Sequence, residues 1–449
     1  MRRNEQRLWA TATLISGGAC LILVCWSVTS DAPLGLSLGL AVAALVAWHA
    51  SMRWLAACAA VWALALIAML VFPGPYDSSA GRAAVPVLAG YAAAFLGAWA
   101  LGRQLARAAG APSALARPEL RWPSDQRLRM YLLVLLAVAV LATVIRFRGS
   151  VPALFAENPD VARQAQREQS NILVGLLSEA WTLGVSISLL RALTLGGRGR
   201  ALYYAFTFIF ILGAALGGSR NSVLVGVVPG LIASLSVRRP QRRTSRSFAK
   251  SSVVTLVGIA VIGTIVFLGG QRTLAGTGAF ETEFRARYGG SALTASAGSL
   301  DLSLSSSGET FGRLWAQRES LAWAHGAYSL TFLGSLVQPV FGDVDLYGIT
   351  SQLSWPYYMN TATFVAIPLL DYGPVGAAIF LVILGLCVGL AERRLEFTLG
   401  PAQHLARGLI VYFAAFGIYE LYPFIYPTWL SLIPGLWVLH RLGRGSKGE

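Results

Sequence analysis

Residues 201–237 read ALYYAFTFIFILGAALGGSRNSVLVGVVPGLIASLSV. Two apolar runs, each long enough to cross a lipid bilayer, are separated by a very short turn, and Arg220 stands in that turn. Further runs of 18 or more apolar residues recur along the whole chain, which is the pattern of membrane-spanning helices. The pattern therefore predicts a tight membrane hairpin with one permanent charge at its tip.

The composition of the whole chain indicates the same class. The 449 residues are 55% hydrophobic and only 13% charged, with a mean hydropathy of +0.59. A soluble chain of this length needs far more polar surface. The first apolar run, residues 8–28, is too long for the hydrophobic part of a signal peptide and has no cleavage pattern after it. We therefore expect an all-α, polytopic membrane protein in which residues 1–449 form a single transmembrane domain.

Hydropathy predicts about twelve membrane spans. They cover residues 8–29, 33–50, 54–72, 84–102, 130–146, 171–190, 201–217, 221–237, 252–270, 374–391, 408–423 and 426–440. If the N-terminus is cytoplasmic, the cytoplasmic segments hold 25 of the 36 Lys and Arg residues but only 6 of the 21 Asp and Glu residues. This asymmetry is what the positive-inside rule requires, and it places both termini in the cytoplasm.

Orientation in the membrane also explains the net charge of +15. The richest basic run, residues 238–250, is a short cytoplasmic loop that would lie beside anionic lipid. The charge therefore predicts membrane lipid as a partner and argues against nucleic acid.

Two predicted outer segments interrupt the series of hairpins. The first is residues 147–170, in which Arg163 and Arg167 have the spacing of one helical face. The second, from residue 271 to residue 373, is the only long extramembrane segment. Its aromatic residues recur every fourth position at 280, 284 and 288, which predicts a short interfacial helix.

The rest of this long segment has a mixed character. The Gly, Ser and Ala residues of 289–308 predict a mobile flap. Residues 309–326 predict a helix that carries Arg318 and His325 on one face. The apolar pieces 326–342 and 361–370 are short, and we interpret both as interfacial or re-entrant pieces packed against protein. The GxxxG patterns at 213–217, 226–230 and 385–389 predict close helix packing.

The environment of Arg220 favours an anionic ligand. The small residues 217–219 precede it and Asn221 follows it, so a bulky anion could approach the backbone N–H groups that begin the next helix. The planar guanidinium fork suits phosphate oxygens. The alternative is a structural arginine that binds free carbonyl groups at the helix end.

Other residues with chemical potential lie on the predicted outer side. His325 is a candidate base, and Glu179 and Glu420 are carboxylates within or near spans. Asp371 precedes Gly373 and Pro374, which is typical of a helix start. Asp343 and Asp345 could form a metal-binding pair, but we expect no metal.

Two segments resemble a known family. The hairpin GGSRNSVL at 217–224 is similar to one in bacterial oligosaccharide repeat-unit polymerases, the Wzy-type O-antigen and capsule polymerases. The segment DYGPVG at 371–376 resembles their element of Asp or Asn, an aromatic residue and two glycines ahead of a late span. Related O-antigen ligases use outer-loop arginines and a histidine, for which Arg220, Arg318 and His325 are the equivalents by position.

The resemblance implies a glycosyltransferase of the bacterial cytoplasmic membrane. Such an enzyme joins repeat units carried on undecaprenyl diphosphate at the outer face, without metal or other cofactor, and can act with a chain-length regulator protein. The expected catalytic residues are His325, Glu420 and Asp371. The expected diphosphate-binding residues are Arg220, Arg163, Arg167, Arg287, Arg313, Arg318, Asn221 and Ser219. The alternatives are an O-antigen-ligase-like transferase and a transporter or flippase of lipid-linked sugars.

Overall fold

A computed structural model describes much of the chain. The described residues are 52–71, 79–110, 120–148, 152, 172–195, 197, 199–216, 220–237, 279–321, 323–330, 338–341, 346–353, 363–418 and 428–444. Within these ranges the regular structure is helical and no strand occurs. The predicted all-α class is thereby confirmed for this part of the chain.

The helices are numbered in chain order. They are α1 (Arg53–Val71), α2 (Ser79–Ala108), α3 (Asp125–Phe147), α4 (Ile172–Ser178), α5 (Ala180–Thr194), α6 (Arg200–Leu216), α7 (Arg220–Ser236), α8 (Ala279–Tyr288), α9 (Ala292–Ala316), α10 (Gln338–Phe341), α11 (Leu346–Leu353), α12 (Thr363–Leu395), α13 (Pro401–Phe416) and α14 (Thr428–Arg444).

Several of these helices are suited to a membrane. Four are long and apolar enough to cross one, namely Ala80–Ala108, Asp125–Phe147, Leu173–Thr194 and Thr363–Leu395. Shorter apolar helices lie at Arg53–Ile67, Arg200–Leu216 and Ser222–Ser236. The number of twelve spans stays a prediction, because 8–29, 33–50 and 252–270 lie outside the described residues.

The exposed surface of the long helices is apolar. Leu141 and Val144 on α3 and Val375 and Ile379 on α12 each expose more than half of their surface. A soluble protein does not present such continuous apolar faces to water. These faces support a membrane-embedded protein whose lipid-facing side chains are apolar.

The chain divides into two compact units, and the single transmembrane domain stays a prediction. The first unit comprises the described parts of 1–112, 301–394 and 413–426, and the second comprises those of 113–300, 395–412 and 427–449. Each unit draws on segments that are far apart in the chain.

In the first unit, α2 and α12 pack closely and run parallel. A Cβ added to Gly385 would meet the carbonyl of Phe95, and one added to Gly389 would meet the carbonyl of Trp99. From the first contact to the second, both helices advance by four residues, so α2 and α12 run in the same direction. This agrees with the predicted topology, in which both spans run from the outer side to the inner side. The packing role predicted for the glycines at 385–389 is confirmed.

Polar contacts lie near the two ends of this helix pair. At one end Arg103 forms a buried ion pair with Glu392. At the other end Glu309 of α9 lies against Gly81 in the first turn of α2. These ionisable side chains therefore lie away from the apolar middle of the helix pair, where a charge would be costly in lipid.

In the second unit, α5 is the central helix. Gly213 of α6 packs on Trp181, Gly226 of α7 on Val185, and Gly230 of α7 on the carbonyl of Ser186. The close packing predicted from the patterns 213–217 and 226–230 is confirmed at these three glycines.

A charged cluster joins one end of α3, α5 and α6 in the second unit. Asp125 accepts hydrogen bonds from Arg191 at 2.8 Å, from the Tyr203 hydroxyl at 2.9 Å and from Arg129 at 3.0 Å. Arg191 also lies 5.0 Å from the ring of Trp122. Because these residues come from the ends of three helices, the cluster fixes that end of the unit.

Two predictions for the long outer segment need correction. Residues 292–308 of the tract predicted as a flap belong to helix α9, whose Gly308 packs against Met69 and whose Ser306 and Ser307 are buried. Small residues are used here for close contact and not for irregular backbone. Helix α9 ends at Ala316, so Arg318 and His325 do not share a helix.

Two other short pieces of this segment, around 280–288 and 361–370, can also be compared with the structure. The helix predicted around 280–288 is confirmed as α8, but Phe284 is buried and Gly298 packs on its ring, so this face contacts protein. Residues 363–370 form the first turns of α12 and all are buried, as expected of a piece packed against protein. Asp343 and Asp345 lie outside the described residues.

We expect Gly389→Ala to destabilise the protein by about 1–3 kcal/mol, because the added methyl group would meet the Trp99 carbonyl and force α2 and α12 apart. The matched control is Gly90→Ala, whose Cβ would have no atom within 4 Å and which should be neutral or slightly stabilising. Thermal unfolding in detergent compares the two variants. Equal stability of both would contradict the packing described here.

Candidate functional site

A polar cavity lies at one end of the second unit. It has a volume of about 50 Å³, enough for a few water molecules, and α3 to α7 contribute to its wall. Its polar lining includes Thr143, Arg146, Ser178, Glu179, Thr182 and Ser222. By the predicted topology this is the outward end of these helices, since it lies opposite the Asp125 cluster.

Glu179 lies where the span of residues 173–194 is interrupted. Its N–H donates to the carbonyl of Leu176 at 3.2 Å, a tighter turn than an α-helix makes, so α4 ends and α5 begins here. The Thr182 hydroxyl donates to Glu179 Oε2 at 2.9 Å. The carboxylate that the sequence placed within a span therefore borders a cavity, as intramembrane acids usually do.

Arg146 is a cavity residue that sequence reasoning missed. It lies in the last turn of α3 and lines the same cavity as Glu179. The available signal was an arginine at the predicted outward end of a span, against the charge rule, which is the argument that singled out Arg220. A cation at a helix C-terminus is also favoured by the helix dipole, which makes Arg146 less conspicuous.

The helix that begins at Arg220 contributes Ser222 to the wall of this cavity. Arg220 is the first residue of α7 and Asn221 the second, so the prediction that the next helix begins here is confirmed. Ser222 lines the cavity, and its carbonyl accepts a 3.4 Å hydrogen bond from the Thr182 hydroxyl. The N-terminus of α7 thus adjoins the wall that contains Glu179.

Four predicted residues lie outside the described residues: Ser219, Arg163, Arg167 and Glu420. Of the others, Arg287 is exposed on α8 in the second unit, while Arg313 and Arg318 belong to the first unit.

In the first unit the structure brings His325 and Asp371 together. The His325 N–H donates to the carbonyl of Asp371 at 3.0 Å, and the Ala324 N–H donates to the carbonyl of Leu370 at 3.0 Å. His325 is exposed, and its φ of 49° is a left-handed conformation that is uncommon outside glycine.

The Asp371 carboxylate holds the same loop. It is fully buried and accepts hydrogen bonds from the N–H of Tyr328 at 2.9 Å, from the N–H of Ser329 at 2.7 Å and from the Ser329 hydroxyl. The sequence indicates a helix start at Asp371, but the carboxylate oxygens accept hydrogen bonds from N–H groups of a different segment. We call the loop 323–330 bound to Asp371 the clasp.

Gly373 makes this arrangement sterically feasible. Its φ of 69° and ψ of −177° are accessible essentially only to glycine, and they kink α12 just before Pro374. A Cβ at this position would lie 2.6 Å from the indole of Trp323. The DYGPVG segment therefore forms a kink in α12, and the clasp packs against this kink.

Two of the predicted arginines have structural partners. Arg313 donates to the carbonyl of Leu353 at 2.9 Å and to Glu309 at 3.4 Å. Arg318 donates to the carbonyl of Trp315 at 3.0 Å at the end of α9 and lies 4.7 Å from the ring of that residue. The second arrangement is that of a basic side chain at a helix C-terminus.

Comparison with protein-family models, curated proteins and solved structures finds no significant match to this chain. The resemblance to repeat-unit polymerases therefore rests on the two short segments and the arrangement of the spans.

Asp371→Asn should weaken the clasp, because an amide cannot accept all three hydrogen bonds as a carboxylate does. We expect the amide hydrogens of Tyr328 and Ser329 to exchange at least about tenfold faster, which corresponds to about 1.4 kcal/mol. Hydrogen exchange followed by mass spectrometry measures this. The control is Glu319→Gln, at a side chain that is 85% exposed. Unchanged exchange in Asp371→Asn would show that the carboxylate does not hold the loop.

Burial raises the pKa of Glu309 above its ordinary value, although Arg313 and the Gly81 N–H oppose the shift. The folded protein therefore binds this proton more tightly than the unfolded chain, and the stabilisation declines as the pH rises through the folded pKa. Glu309→Gln, which mimics the protonated acid, should be more stable than the wild type at neutral pH, with the difference vanishing in acid. Thermal unfolding across pH tests this. Lower stability of the variant at neutral pH would mean that the Arg313 ion pair outweighs burial.

Proposed function

We propose that the protein is a membrane glycosyltransferase that polymerises oligosaccharide repeat units carried on undecaprenyl diphosphate. The reaction takes place at the outer face of a bacterial cytoplasmic membrane and needs no metal. The observation that carries the proposal is the cavity that Arg146 and Glu179 line beside the N-terminus of α7, the helix that Arg220 begins. The resemblance of the segments 217–224 and 371–376 to the polymerases supports it.

Groups beside the cavity attract a diphosphate for electrostatic reasons. Arginine carries a permanent charge and a planar set of donors that matches phosphate oxygens. The first N–H groups of a helix have no partner within it and attract anions. Arg146 and the start of α7 therefore supply two kinds of anion-binding group beside one wall.

The chemistry follows from the charge that develops on the leaving group. An acceptor hydroxyl attacks the anomeric carbon of the donor sugar, the bond from that carbon to the phosphate oxygen breaks, and the lipid diphosphate leaves with an added negative charge. Arginines that are already in position stabilise this charge in the transition state without reorganisation. The hydroxyl proton passes to a general base, which completes the transfer.

A transporter of lipid-linked sugars is the second candidate, and Glu179 favours it. An ionisable residue at an interruption of a spanning helix is typical of proton-coupled or ion-coupled carriers. A ligase-like transferase would use the same anion-binding groups with a different acceptor.

The decisive experiment incubates the purified protein with lipid-linked repeat units and separates the products on a gel. A ladder of lengths supports the polymerase, a single transfer to a different acceptor supports a ligase, and the absence of any product favours the carrier. Arg146→Ala and Arg220→Ala should each reduce transfer by about 100-fold, because each removes a donor to the leaving group.

The matched control for these variants is Arg394→Ala. Arg394 is exposed near the C-terminal end of α12, which the topology places on the cytoplasmic side, so its removal should leave transfer unchanged. If Arg146→Ala and Arg220→Ala retained wild-type polymer length and yield, the assignment of the cavity as the diphosphate site would be wrong.

A further inference from the structure

Aromatic side chains surround the kink of α12 in the first unit. The indole of Trp323 packs on Gly373, as the close approach of a Cβ there shows. The hydroxyl of Tyr91 donates a hydrogen bond of 2.9 Å to the carbonyl of Pro374. Trp315 meets Tyr91 edge to face at a centroid distance of 6.4 Å. We call Trp323, Tyr91 and Trp315 the aromatic group.

One member of this group is held in a fixed but open position. Trp323 is 52% exposed, although its indole packs on the backbone of α12. The two residues that follow it are hydrogen-bonded to the carbonyls of Leu370 and Asp371, and the Asp371 carboxylate holds the rest of the loop. The exposed part of the ring therefore has a defined orientation.

Polar groups accompany the aromatic group. His325 follows Trp323 by two residues and is exposed. Arg318 stacks on Trp315, with 4.7 Å between its guanidinium carbon and the ring centroid. The structure thus combines flat apolar rings with side chains that donate hydrogen bonds.

We propose that Trp323 and His325 form a saccharide-binding site for the acceptor oligosaccharide. A pyranose ring has an apolar C–H face, which can lie on an indole, and a rim of hydroxyl groups, which require hydrogen-bond partners. Trp and Tyr supply rigid contact area with a small loss of conformational entropy. His325 hydrogen-bonds the rim hydroxyls, and the assignment of the sugar as acceptor rests on the proposed function.

A tryptophan near the end of a spanning helix can also act as an anchor in the interface between lipid and water. Val375, two residues after Gly373, is 74% exposed, so Trp323 lies close to a lipid-facing surface. An anchor needs only the right depth, however, whereas Trp323 packs on Gly373 and belongs to a loop from which a buried carboxylate accepts three hydrogen bonds. A position at the interface also suits a glycan whose lipid carrier lies in the same bilayer.

The test uses the full-length protein in lipid nanodiscs. The probe is the oligosaccharide that mild acid releases from the strain's own lipid-linked repeat units, which lacks the diphosphate. Calorimetric titration should show that Trp323→Ala weakens binding at least about tenfold, while Trp323→Phe keeps most of it. The matched control is Trp437→Ala, at a tryptophan of α14 that is 56% exposed and should not affect binding.

Binding by Trp323→Ala that equals the wild type would overturn the proposal, as would the absence of binding by the wild type. A variant that loses only stability or membrane insertion would identify an anchor and overturn it too. Because the probe lacks diphosphate, the two proposals can fail separately. If binding depends on Trp323 but no product ladder forms, the polymerase is rejected and the saccharide site is kept. If a ladder forms but binding does not depend on Trp323, the saccharide site is rejected and the polymerase is kept.

Discussion

Peptide N–H and C=O groups within a bilayer have no water to bind, so each spanning segment must satisfy them internally. Helices meet this requirement, and the regular structure of the described residues is helical. The hydrophobic effect does not drive helices together in lipid, so association depends on close backbone approach. Gly385 and Gly389 provide it between α2 and α12, and Gly226 and Gly230 provide it between α7 and α5.

The same constraint determines where polar chemistry can occur. Ionisable groups are tolerated at helix ends, at interruptions of helices and beside cavities. Glu179 and Arg146 line a cavity in the second unit, while Asp371 lies at the kink of α12 in the first. Glu179 and Asp371 both lie where a helix departs from regular geometry, and there their oxygens find hydrogen-bond donors.

The clasp shows how one buried carboxylate can hold a distant loop in place. The Asp371 carboxylate accepts hydrogen bonds from the backbone N–H groups of Tyr328 and Ser329. This fixes the loop that carries Trp323 and His325, which are both exposed. Because this carboxylate already accepts three hydrogen bonds, Asp371 acts as a positioning group for the loop.

The sequence by itself determined the helical membrane class, the start of α7 at Arg220 and the packing role of the glycines, because hydropathy and residue size act locally. Tertiary structure alone decided the rest. It showed that residues 292–316 are a packed helix, that Arg318 and His325 lie on separate elements, and that Arg146 shares a cavity with Glu179. It also paired Asp371 with a loop 42 residues earlier in the chain. Local patterns cannot reveal which distant N–H groups a carboxylate will satisfy, since that depends on how the helices pack.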